Sequence, residues 1–216
     1  KKLKDDQVQL MREHDVPEYY IQSCNKIAYL FPKGHACAYV MMALRVGYYK
    51  VYYPLEFYAT FFTLRADQYD IKSMIGGIDA IHRKLVEFDE RKKTNNPEFA
   101  LSKKEEDQEA TLIVALEMCE RGFKFKNIDI EKSDGINFIV DKEHNALIPP
   151  FKVIDGFGEK AAEVLIEARK EKAFISKEDL ASRGKVSATQ MKILEDLHVL
   201  DDLRDNNQMS LFDFSF

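Results

Sequence analysis

The sequence predicts a mainly α protein: a helical region, then a small β-hairpin, then a tandem module of short helices joined by tight hairpins. Three observations predict it. Apolar residues recur at i, i+3 and i+7 through the first 120 or so positions. FKFKNIDIEKSDGINFIVDKEHNALI (123–148) instead alternates, with Asp134-Gly135 between two runs as a hairpin signal. Beyond Pro149-Pro150 come short helical patterns separated by GFG and SRGKVS.

The 216 residues are 45% hydrophobic and 32% charged, as expected for a soluble globular protein. Opening at Lys1 in a charged run without an apolar leader, the chain reads as a piece of a longer polypeptide. Its longest apolar segments, Val40 to Val46 and Phe57 to Leu64, fall short of the roughly 20 residues a membrane helix needs, so no membrane role is expected. Cys24, Cys37 and Cys119 lack metal-ligand spacing and suggest buried thiols in a reduced, intracellular protein. A net charge of −5 argues against indiscriminate coating of nucleic acid, leaving local patches to decide.

In order, the elements are a charged helix, a break at Val16-Pro17, a second helix through Ile27, and a long helix within FPKGHACAYVMMALRVGYYKVYYP (31–54). Pro32 suits that helix's first turn and Pro54 stops it. LEFYATFFTLRA continues as an apolar helix, and Ile75, Ile78, Ile81, Leu85 and Phe88 mark an amphipathic one. After the polar loop KKTNNPEF, Ser102 with Glu105 forms a capping box, starting a helix that runs to Gly122. Domain boundaries are expected at 1–122 for the helical region, 123–150 for the hairpin and connector, 151–204 for the tandem module and 205–216 for a tail. The polar run Asp205-Asn206-Asn207 is not expected to pack.

The segment from Tyr19 to Leu55 holds no Asp or Glu, yet carries Lys33, His35, Arg45 and Lys50. Lys33 and His35 stand at a helix start, where the macrodipole favours an anion, and His35, Tyr39, Met42, Val46 and Tyr49 share a face. This suits a triphosphate with a base or sugar along the aromatic face; an ordinary core helix is the alternative on local physics. VIDGFGEKAAEVLIEAR (153–169) resembles the helix-hairpin-helix motif of DNA-binding proteins. Gly156 and Gly158 would admit a phosphate close to the backbone, with Lys160 beside it; a plain turn is the alternative. SRGKVSATQMKILEDLHVL looks like a degenerate second copy, with Lys185 and Ser187 at its hairpin. The adjacent acids Asp5-Asp6, Glu105-Glu106 and Asp201-Asp202 read as surface charges, and no carboxylate set suits paired catalytic metal ions.

PKGHACAYVMMALRVGYYKVYYP resembles the fingers segment of the bacterial C-family replicative DNA polymerases, through Lys33, His35, Ala36, Ala38, Tyr39, Lys50, Tyr53 and Pro54. With DVPEYYIQSCNKIAYLFPK before it and FYATFFTLRADQYDI after it, the resemblance is specifically to the PolC type of low-GC Gram-positive bacteria, and covers essentially the whole chain. QMSLF is similar to a sliding-clamp-binding peptide, offering Gln208, Met209, Leu211 and Phe212. The resemblance implies a cytoplasmic DNA-directed DNA polymerase, of which this chain is the C-terminal part: fingers, duplex-binding module and clamp-binding tail. It implies dNTP binding by Lys33 and His35, with Tyr39 and Arg45 further candidates, and duplex template-primer binding by Gly156, Gly158, Lys160, Lys185 and Ser187. The implied partners also include the sliding clamp (beta subunit) and the upstream palm and exonuclease portions of the same polypeptide. Mg²⁺ would be held by the palm, outside this chain, which should bind but not catalyse alone. A non-catalytic helix-hairpin-helix adaptor tethered to the clamp is the alternative.

Overall fold

A computed structural model describes residues 3–26, 33–94 and 97–207. The chain divides into two compact units, Lys1–Tyr48 and Tyr49–Phe216.

The first unit contains α1 (Asp5–Glu13), α2 (Glu18–Lys26) and most of α3 (Lys33–Tyr52). Asp15, at φ 55°, ends the first turn of chain before Pro17, and Arg12 pairs with Glu18 at 2.9 Å across it. Ile21 and Cys24 of α2 are buried, whereas Cys37 is exposed, correcting the expectation of a buried thiol there. Pro32 lies outside the described residues.

The second unit opens on the end of α3 and continues with α4 (Pro54–Leu64), α5 (Ile71–Ile75), α6 (Gly77–Lys93) and α7 (Lys103–Glu120). Pro54 is the first residue of α4, where its missing N–H costs nothing. Tyr58 and Phe62 of α4, Phe88 of α6 and Leu112 and Met118 of α7 are fully buried together. Tyr69 donates its hydroxyl to the Phe62 carbonyl at 2.6 Å, and burial pushes that phenol up to about 12. The Ser102–Glu105 capping box forms as the sequence predicts, and Gly122 takes φ 88° just past α7.

A three-stranded sheet follows: β1 (Lys124–Phe125), β2 (Ile139–Asp141) and β3 (Ala146–Ile148), in the order β1-β3-β2. β1 runs parallel to β3, and β2 pairs antiparallel to β3 with Val140 opposite Leu147. The hairpin turn is therefore Lys142–Asn145, with Asn145 at φ 51°, and Asp134-Gly135 is not a hairpin turn. Instead the Asp134 carboxylate accepts from the N–H groups of Ile136 and Asn137, both at 2.8 Å, and reverses the chain locally. A Cβ on Gly135 would lie 3.4 Å from that of Ala162, so this loop packs closely on the next helix, α8 (Glu159–Glu171).

The last elements are α9 (Lys177–Arg183) and α10 (Ala188–Asp196). Phe151, Phe157, Leu165, Leu180, Leu194 and Leu200 join the same hydrophobic core as α4, α6 and α7. Arg169 of α8 ties this region to the loop between β1 and β2 by donating to the carbonyls of Ile130 and Ser133, both at 2.8 Å.

Candidate nucleic-acid interface

The two hairpins are built alike. In the first, Gly156 has φ 86°, Phe157 is buried, and Gly158 is the extended N-cap of α8 at φ −71°, ψ 162°. In the second, Lys185 has φ 50°, Val186 is buried, and Ser187 is the extended N-cap of α10 at φ −70°, ψ 159°. A buried apolar residue between a left-handed residue and a helix cap pins each turn to the core. Gly156, Gly158, Lys160, Lys185 and Ser187 all face solvent.

The copies differ in what precedes the turn. Before the first, Pro150 holds the chain extended at φ −78° and leaves only the 3-10 turn Phe151–Val153. Before the second stands a true helix, α9, so the copy that looks degenerate in sequence has the fuller pair of helices.

Chemically, each turn offers the start of a helix, where N–H groups lack intrahelical acceptors. Gly158 has no side chain to cap α8, so those donors face outward beside Lys160. Glu159 shares that turn and Asp155 precedes it, but Lys104 pairs with Asp155 at 2.8 Å. On α10, Ser187 Oγ accepts from Gln190 N–H at 3.3 Å, and Gln190 Oε1 accepts from Ser187 N–H at 2.8 Å. Sequence reasoning passed over Gln190, although Ser187-x-x-Gln190 is the capping-box signature.

Lys33 and His35 stand in the first turn of α3, with Tyr39 and Arg45 further along it, in the first unit, all exposed. The rings of His35 and Tyr39 approach to 4.4 Å between centroids, tilted by 54°. Arg45 Nη1 lies 3.9 Å from Met42 Sδ, along the same helix. No residue of α3 is buried: Tyr39 is 67% and Leu44 69% exposed. For Lys50, α7 supplies the acid its own segment lacks. Its ammonium pairs with Glu117 at 2.7 Å, while Arg121 donates to the Lys50 carbonyl at 3.2 Å and to Tyr58 Oη at 3.0 Å.

Of the acidic pairs, Asp5-Asp6 and Asp201-Asp202 are exposed. Glu105 is not a simple surface charge. Arg91 clamps it at 2.6 Å, Ser102 N–H donates to it at 2.8 Å, and these contacts pull its carboxyl from the ordinary 4.5 to about 2. Among the described residues, no group of three or more His, Cys, Asp or Glu is placed to hold a metal ion. Nor is any helix among them long and apolar enough to cross a membrane.

Gln208, Met209, Leu211 and Phe212 lie outside the described residues. The run before them stays exposed but is tied down by polar contacts: Ser176 Oγ donates to Asn207 Oδ1 at 2.7 Å, Asn207 N–H to Glu178 at 3.0 Å, and Lys177 pairs with Asp205 at 2.9 Å. Polar partners at the start of α9 hold what hydrophobicity alone would leave loose.

Residues 122–209 match a family described as the helix-hairpin-helix motif. Proteins named DNA polymerase III PolC-type align over nearly the whole chain. That of Oceanobacillus iheyensis is 45% identical over 212 residues, 98% of this chain and 14% of the relative. Those of Streptococcus sanguinis, at 46% over 95% of this chain, and Ureaplasma parvum, at 44% over 98%, cover 14% and 15% of themselves. The chain belongs to the PolC-type DNA polymerase III family. It spans about one seventh of the length of these PolC-type relatives.

Proposed function

We propose that this chain is the fingers and duplex-gripping part of a replicative DNA polymerase, whose whole polypeptide adds dNTPs to a primer under template direction. The paired hairpins carry this reading. Two helix starts of like geometry, one uncapped, with Lys160 and Lys185 at their turns, suit backbone phosphates, which carry no sequence information. The exposed start of α3, with Lys33 and His35 and no acid in its first turn, suits the triphosphate of an incoming dNTP. Tyr39 lies one turn on, against the His35 ring, and Arg45 supplies a further cation along the helix.

Phosphoryl transfer needs Mg²⁺ held by carboxylates. On this reading the palm portion of the polypeptide supplies them. The Gln208–Phe212 peptide binds the sliding clamp, and the enzyme works in the bacterial cytoplasm at the nucleoid.

Titrating labelled duplexes of unrelated sequence into the chain tests the reading. Similar affinities that fall together with rising salt are expected, since phosphate contacts release counterions. Absence of duplex binding, or preference for one sequence, overturns it.

A further inference from the structure

The side chain of Gln190 makes a hydrogen bond in each of the two hairpins. Its Oε1 accepts from Ser187 N–H at 2.8 Å, closing the capping box of α10. Its Nε2 donates to the carbonyl of Gly156 at 2.8 Å, in the turn of the first hairpin. The side chain is buried, at 8% exposure, so neither bond competes freely with water. A glutamine is needed here: one end must accept and the other donate.

We propose that Gln190 is a positioning residue, a clasp that fixes the two phosphate-facing turns in one register so that both engage a single duplex together. The inference rests on the duplex-binding reading above. Two sites held on one frame bind a common ligand with high effective concentration, and loosening the frame loses that gain without removing either site. A core polar residue with no such role would affect melting alone. A clasp also sets how many phosphates are neutralised at once, which the salt dependence reports.

Gln190→Glu keeps an acceptor for Ser187 N–H but turns an oxygen toward the Gly156 carbonyl, breaking the clasp and adding a negative charge. Gln190→Met removes both bonds at similar volume and adds no charge. Measured in the full chain against one duplex, below the melting temperature of each variant, both should bind about tenfold more weakly, with the salt slope reduced by about half.

Folded variants with the wild-type slope and affinity overturn the clasp. Failure of the unaltered chain to bind any duplex overturns the underlying reading instead. Should both variants unfold, an amide NMR titration of the unaltered chain decides. Residues 156–160 and 185–189 must shift at the same DNA concentration, and saturation of one hairpin before the other overturns the proposal.

Discussion

Lys185 separates the cost of building a hairpin from its use. Its φ of 50° places an L side chain in the left-handed region, at a cost of about 1 kcal/mol. Replacing it with glycine removes that strain, but glycine loses about 0.5–1 kcal/mol more backbone freedom on folding. The two effects nearly cancel, so Lys185→Gly should melt within about 2 °C of the unaltered chain. The exposed ammonium is lost at the same time. If it neutralises one phosphate, the slope of log affinity against log salt falls by about 0.9. Lys185→Val loses the same charge while keeping the strained φ with a β-branched side chain, so it should melt about 3–6 °C lower with the same slope. Thermal denaturation by circular dichroism and fluorescence anisotropy at four salt concentrations measure both quantities. A wild-type slope for Lys185→Gly refutes the phosphate contact. A large loss of stability in the same variant refutes the view that the residue acts through its charge and not through packing.

Alanine at Lys33 or His35, introduced into the intact polymerase, should impair dNTP use in primer extension while leaving melting nearly unchanged, because both residues are exposed. Large destabilisation with normal kinetics would return α3 to a structural role. A synthetic peptide covering residues 206–214 should bind the sliding clamp in the micromolar range, and Leu211→Ala with Phe212→Ala should abolish clamp-stimulated synthesis while sparing clamp-free synthesis. Full processivity in that variant would make QMSLF a chance match. Glu105, with its carboxyl lowered from 4.5 to about 2, binds its proton less readily folded than unfolded. Its contribution to stability is therefore complete above about pH 5 and lost as pH falls toward 2. Glu105→Gln should flatten that part of the acid-denaturation curve, and an unchanged curve would show that the Arg91 clamp contributes nothing.

Local chemistry was the legible part of this fold. Ser102 and Glu105 lie three residues apart, and Gly122 stands where α7 must end, so both ends of that helix could be placed from sequence. The turn at Asp134-Gly135 misled because its dipeptide suits several loops. Only the approach of Ala162 on α8, 27 positions along the chain, shows that glycine serves packing there. The acid-free run from Tyr19 to Leu55 does not leave Lys50 without an acid. Its partner, Glu117, is 67 residues away in sequence and is brought near by the packing of the second unit. The second hairpin looked degenerate because Lys185 and Ser187 replace glycines, yet its backbone follows the first. Conformation was preserved where residue type was not.

Amide hydrogen exchange with and without duplex DNA measures the contacts on which this account depends. Bound duplex should slow exchange at Gly158, Glu159 and Lys160 and at Ala188 and Thr189, the helix-start donors next to the two turns, for any duplex sequence and less so at high salt. Protection on other surfaces with those five amides unchanged would contradict the account, however tightly the DNA binds.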